Sequence, residues 1–162
     1  MKKRSALKEA SLKRIIKSGA ARLREEGLSG SVISTVMQDA GLTHGTFYSH
    51  FRNKNDLLIA SLQRALLENR PRWISDKEKE LWPQRLIRLA KRDLTAAHRD
   101  DLSNSCALAA LVSEAARSNA DFRREYEVEV YKSSDAICGE EPCELAANSE
   151  RYAEADMYMA LC

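Results

Sequence analysis

The chain has 162 residues, with 26 Lys/Arg against 24 Asp/Glu, 44% hydrophobic residues, 6 glycines, 3 prolines and 4 cysteines. That is enough apolar material for one or two packed domains, and the composition is too mixed for a fibre or a disordered tail. Apolar runs such as Ala107 to Val112 fall far short of the roughly 20 residues a membrane helix needs.

The charged start Lys2-Lys3-Arg4 leads into no signal-peptide core, so a cytoplasmic protein without a membrane partner is expected. Ala, Leu, Lys, Arg and Glu dominate and glycine and proline are scarce, which predicts an all-α fold. Charge is uneven. Residues 1–72 hold 14 Lys/Arg against 6 Asp/Glu, and residues 73–162 hold 12 against 18. A basic first part attracts a polyanion, and an acidic second part is expected to stay away from it. Cys106, Cys138, Cys143 and Cys162 all lie in the second half, too few and too one-sided for a disulfide framework, so reduced thiols are expected.

In chain order, Leu12, Ile16, Gly19, Ala20 and Leu23 recur at helical spacing and predict a first helix closed by Gly27. After Leu28 to Ser31, the residues Val32, Val36, Met37 and Ala40 predict a short second helix with Gly41 as its left-handed C-cap. Only Leu42 intervenes before Thr43, the expected cap of a third helix in which Phe47 and Phe51 face inward together. Asn53 with Asp56 opens a fourth helix through Leu57, Leu58, Leu62, Ala65 and Leu66 to about Arg70. Pro71 and the stretch Trp73 to Lys77 mark a seam, giving an expected head at residues 1–70 and a second helical unit at 71–162. In that unit Pro83 opens a helix carrying Leu86, Leu89, Ala90, Leu94 and Ala97, which Asp101 to Ser105 breaks. Leu108, Leu111, Val112 and Ala115 form the next stripe, and Asn119 caps one bearing Phe122, Tyr126 and Val130. A weaker stripe of Leu145, Tyr152, Ala155 and Met159 follows Pro142.

Two short helices across a tight glycine turn form a helix-turn-helix, in which the first braces the second so that its N-terminal part enters a major groove about 12 Å wide. Thr43, His44, Gly45 and Thr46 are the residues this geometry turns toward base edges. His44 and Thr46 can each donate or accept hydrogen bonds, while Gly45 permits close backbone approach at the expense of helix stability. Tyr48 and His50 lie on the flanks, where they meet phosphates, and Lys54 at the start of helix four is placed to hold one phosphate. Lys13, Arg14 and Lys17 read as a solvated face that adds a diffuse positive field.

The run Gly41-Leu42-Thr43-His44-Gly45-Thr46-Phe47-Tyr48-Ser49-His50-Phe51-Arg52-Asn53-Lys54-Asn55-Asp56-Leu57-Leu58 resembles the DNA-binding signature of the TetR family of bacterial regulators, and the likeness extends over about residues 8–66. The resemblance implies DNA contact at Thr43, His44, Gly45, Thr46, Tyr48, His50 and Lys54, and adds Ser34 early in helix two. It further implies a homodimer on palindromic double-stranded operator DNA and a C-terminal bundle that binds a small-molecule effector. Leu23, where the family often has an aromatic residue, and Val36-Met37, where it often has Ile-Ala, depart from the pattern within the apolar core. The segment Cys106 to Arg117 is similar to a helix of some members. After about residue 137 the family closes with two long apolar-faced helices where this chain offers one acidic segment, so a truncated or remnant DNA-binding protein with impaired dimerisation is the alternative expectation.

Trp73, Trp82, Phe122 and Tyr126 read equally as core or as the lining of an effector cavity, and no effector-binding residue is assigned. His98 and Cys106 are the only base and nucleophile near one another in sequence, and Cys138 with Cys143 has no second ligand pair nearby. Neither an enzyme nor a cofactor nor a metal site is expected.

Overall fold

The computed structural model describes residues 2–74, 80–102, 106–138, 153–155 and 157. Among these are the helices α1 (Lys2–Gly30), α2 (Ile33–Asp39), α3 (His44–Phe47), α4 (Lys54–Trp73), α5 (Trp82–Asp93), α6 (Ala96–Asp100), α7 (Ala107–Arg117) and α8 (Ala120–Cys138), with no strand among the described residues. The fold is all-α.

Of the expected stripe on α1, Ala20 and Leu23 are completely buried, as is Ile15, which the stripe did not include, with Leu12 and Ile16 packed alongside. Gly27 interrupts the helix at φ 68, ψ −162, the left-handed half of conformational space that a side chain resists. One further turn then reaches Gly30, and the buried Ser31 hydroxyl donates to the Gly27 carbonyl at 2.8 Å. Val32 was expected in the core, but it is the exposed N-cap residue of α2, and Ile33 packs inward instead.

Helix α4 runs past the expected end at Arg70 to Trp73, with Pro71 inside its last turn. A proline there has no N–H to give the helix, yet the turn still closes through Ile74 N to Arg70 O at 3.3 Å. Burial of Trp73 holds that turn down. Pro83 opens α5 as the sequence suggests, yet the helix stops at Asp93, before Leu94 and Ala97. Leu94, at φ −83 and ψ 62, forms an inverse γ-turn closed by Thr95 N to Asp93 O at 2.9 Å, which sets Leu94 in solvent and starts α6 afresh. Val112 of α7 is likewise exposed. Asn119 caps α8 as expected, its Oδ1 accepting the Phe122 amide at 3.0 Å. Of the last predicted stripe only Ala155 lies among the described residues, and it is buried; Pro142, Leu145, Tyr152 and Met159 lie outside them.

Two apolar cores result. Ile15, Val36, Met37, Ala40, Phe47, Phe51 and Leu57 form the smaller, beneath α2 and α3. The larger joins Ala20 and Leu23 of α1 and Leu58, Leu62, Ala65 and Leu66 of α4 to Leu89, Leu108, Leu111, Phe122 and Ile137. Trp73 and Phe122 belong to that core, and Trp82 and Tyr126 pack against it. Helices α1 and α4 therefore serve both cores, so the head and the second helical unit share their scaffold. A buried carboxylate reinforces the α4–α8 contact: Glu129 of α8 accepts from Arg70 of α4 and from Lys132 at 2.7 Å.

Close approach of α1 to α4 depends on Gly19. A Cβ there would lie 2.2 Å from Ser61 Oγ, and that hydroxyl is buried with no hydrogen-bond partner among the described residues. Gly19→Ala is expected to destabilise the protein by about 1–3 kcal/mol through overpacking. Ser61→Ala, which removes an unsatisfied buried hydroxyl, should be neutral or stabilising by up to about 1 kcal/mol and should relieve most of the Gly19→Ala loss. Urea unfolding of the two single variants and the double variant checks this, and strict additivity would contradict it.

Candidate nucleic-acid interface

Helix α2 ends in a hydrogen-bonded glycine turn. Gly41 takes φ 62, its amide donates to Gln38 O at 2.9 Å, and the Leu42 amide donates to Met37 O at 2.9 Å. This paired pattern is the Schellman motif, with Gly41 in the left-handed position the sequence suggested. It satisfies two helix-end carbonyls and reverses the chain so that α3 begins within a few residues.

Residues 44–51 then form a shorter helix than expected: one turn at His44–Phe47, followed by turn structure through His50. Thr43 stands at the cap position, but its hydroxyl pairs with that of Thr46 at 3.0 Å and bonds no amide, and the cap is closed by Thr46 N to Thr43 O at 3.0 Å. Phe47 is wholly buried and stacks on Phe51 with centroids 5.6 Å apart, which fixes the element to the small core. Tyr48 is 64% exposed, its ring set edge-on to Phe47 at 5.1 Å and to His44 at 5.8 Å. The two outward rings therefore brace one another over a buried anchor. Above Gly45 there is open space, since a Cβ added there would meet nothing within 4 Å.

Helix α1 holds this assembly along one side. Ser11 Oγ lies 2.8 Å from His50 Nε2, Arg14 Nη2 donates to Gly41 O at 3.3 Å, Ser18 Oγ donates to Val36 O at 3.2 Å, and Arg22 Nε donates to Asp39 at 2.5 Å. These residues follow each other three or four apart, on one helical face. The Arg22 guanidinium is held above its ordinary range, mainly by the hydrogen bond to Asp39. Arg14 is thus a brace for the turn, and Lys13 is paired with Glu9 at 2.7 Å, while Lys17 remains in solvent.

Between Asp39 and Asp56 there is no acidic residue. Asp39 is engaged by Arg22, and the Asp56 carboxylate accepts the Arg52 amide at 3.2 Å while its own amide donates to Asn53 Oδ1 at 2.9 Å. The outer face of residues 43–49 consequently offers hydroxyls, an imidazole and a phenol with no carboxylate among them, chemistry suited to base edges and phosphates.

The structure brings Thr43, His44, Gly45, Thr46 and Tyr48 together on this one short element. Ser34 is exposed in the first turn of the neighbouring α2. His50 is half-buried where the element ends, held to α1. Lys54 opens α4, but its ammonium donates to Leu28 O at 3.0 Å, a partner 26 residues earlier in the chain.

The family model described as "Bacterial regulatory proteins, tetR family" matches residues 15–61, which run from the middle of α1 through α2 and α3 into α4. The N-terminal head is a TetR-family helix-turn-helix domain. The match supports a DNA-binding transcriptional regulator. No curated protein matches the chain.

Sequence reasoning missed the residues that position this TetR head. Arg14 reads from the sequence as part of a solvated face and Ser11 carries no reading at all, and their partners Gly41 and His50 lie 27 and 39 residues away, beyond any local periodicity. Elsewhere, Cys106 and Cys138 are buried, and burial pushes the Cys106 thiol above its ordinary range, against the thiolate a nucleophile needs. The side chain of His98, its sequence neighbour, lies outside the described ones, as does Cys143.

His50 titrates below the ordinary imidazole range, first because partial burial disfavours its charged form and second because Lys8 repels that charge. Ser11 directs its single hydroxyl hydrogen to Lys8 O at 2.8 Å, which leaves His50 Nε2 as the donor to Ser11. Because the folded state resists protonation, the stability contributed by His50 is present above its unfolded pKa of about 6.5 and is lost as pH falls through the lowered folded value. Thermal melts from about pH 8 to about pH 5 should therefore show the wild type losing stability relative to His50→Gln. Parallel curves for the two proteins would contradict this account of His50.

Proposed function

We propose that the protein is a cytoplasmic repressor that binds a palindromic operator as a homodimer, with each head in one of two major grooves about 34–36 Å apart. Thr43, His44, Gly45 and Thr46 face the base edges, with His44 and Thr46 as hydrogen-bonding readers and Gly45 as the point of closest backbone approach. Tyr48, His50 and Lys54 meet the phosphates and fix orientation, and Ser34 reaches a phosphate or a base edge. The observation that carries this reading is the face of residues 43–49: polar and free of carboxylates, with a glycine over open space and a buried phenylalanine beneath.

Repression is released by a small molecule that enters the helical unit of residues 71–162 and favours a head spacing that no longer fits the two half-sites. The basic balance of residues 1–72 and the acidic balance of residues 73–162 support this division of labour. The sharing of α1 and α4 between the two cores supports a mechanical link between the units.

Binding selection from a random duplex pool at physiological salt, with sedimentation of the protein alone and on the recovered duplexes, tests the proposal. A dimer that enriches a two-fold symmetric sequence is the expected result. A monomer that binds every duplex with only non-specific affinity, roughly 10⁻⁴ to 10⁻⁶ M, would overturn it. On the recovered operator, Tyr48→Phe should weaken binding to matched and mismatched sequences alike, and a changed base preference would remove Tyr48 from the phosphate-contacting set.

A further inference from the structure

Lys54 is tied to the far half of the molecule through the backbone of a single residue, Leu28. Its ammonium donates to the carbonyl of Leu28 at 3.0 Å, and the amide of that same Leu28 donates to the Glu114 carboxylate at 2.5 Å. Glu114 belongs to α7, whose Leu108, Leu111 and Ala115 lie in the large core. Gly27 makes this approach possible, since a Cβ at Gly27 would lie 2.1 Å from Glu114 Oε1. Leu28 itself packs against the large core, so the turn is gripped by apolar contact as well as through both backbone groups of Leu28.

We infer that Glu114 is a positioning residue for DNA binding, which fixes the Lys54 ammonium through the backbone of Leu28 and makes the placement of α7 part of the head's hold on phosphate. The inference rests on the reading of Lys54 as a phosphate contact. Both bonds are charge-assisted, and the carboxylate on the Leu28 amide holds in place the residue whose carbonyl receives the ammonium. An ammonium has three donors, so the bond to Leu28 leaves two for a phosphate. The flexible four-carbon stem of a lysine otherwise leaves its charge unplaced, and a fixed acceptor at one N–H removes that freedom before DNA arrives. A shift of α7 would reach Lys54 through two hydrogen bonds, without passing through the recognition element.

The sign of the effect separates positioning from bulk electrostatics. Removing a negative charge from a DNA-binding protein strengthens its attraction to a polyanion, whereas loss of positioning weakens binding. The test uses the full chain on a random-sequence duplex of about 30 base pairs and reads the slope of log affinity against log salt. Lys54→Ala should lower the slope by about 0.9, the value for one lost phosphate contact. Glu114→Ala should weaken binding and lower the slope in the same direction. The double variant should fall no further than Lys54→Ala alone. Glu114→Gln, which keeps an uncharged acceptor for the Leu28 amide, should lie between wild type and Glu114→Ala and guards against a fold defect in the alanine variant.

If Glu114→Ala and Glu114→Gln keep the wild-type slope and affinity while only the melting temperature falls, Glu114 merely caps the turn and the inference is overturned. Additive losses in the double variant overturn it as well. An unchanged slope for Lys54→Ala removes both the phosphate role of Lys54 and this inference. A wild-type protein that does not bind the duplex brings down the DNA-binding reading itself.

Discussion

Four polar ties from one face of α1, at Ser11, Arg14, Ser18 and Arg22, set where the helix-turn-helix sits. They grip it at the end of α3, at the Gly41 carbonyl, at the Val36 carbonyl and at Asp39. Each is a single hydrogen bond or ion pair, several of them open to water, and such bonds contribute on the order of 1 kcal/mol apiece. Their effect is positional. A recognition element of one helical turn has too few internal bonds to be stable alone, so its conformation is set from outside. The Phe47–Phe51 stack holds it from below, and α1 holds it from the side.

The same α1, with α4, extends past the head into the large core, where Leu23, Leu62 and Leu66 meet Leu108, Leu111 and Phe122. Contacts between the DNA-reading head and the rest of the protein therefore run through two continuous helices and one hydrogen-bonded turn at Leu28. A rigid link of this kind suits a regulator, because a displacement within the acidic half is delivered to the head as movement of a whole helix. The head's positive excess supplies attraction to DNA, while its acidic residues nearest the recognition element, Asp39 and Asp56, are engaged by Arg22 and by the Arg52 amide.

Much of this architecture was legible in the sequence because it is local. The stripe through Leu12 to Leu23, the left-handed role of Gly41, the Asn53 and Asn119 caps and the inward pair Phe47 and Phe51 each follow from residues within one or two turns of each other. Helix ends governed by longer-range burial were harder to read. Trp73 carries α4 through Pro71, and an inverse γ-turn at Leu94 cuts α5 short where the apolar spacing continued. In the candidate site, the residues facing outward from α3 could be named from spacing and from the family signature. The residues that hold His50, Gly41 and Lys54 in place could not, since Ser11, Arg14 and the Leu28–Glu114 pair meet their partners only after folding.

Gly45 separates function from structure most sharply. Its φ is not positive, nothing lies within 4 Å of an added Cβ, and a glycine in a helix is less stable than an alanine by roughly 0.5–1 kcal/mol. The fold gives no reason for a glycine at this position, whereas close approach to a base edge does. The most direct measurement pairs a thermal melt of Gly45→Ala with its affinity for the duplexes selected by the wild type. A protein as stable as the wild type or more so, yet severely weakened in operator binding, is the result this account predicts. Unchanged affinity would mean that the face of residues 43–46 does not meet DNA, and the central claim would fall.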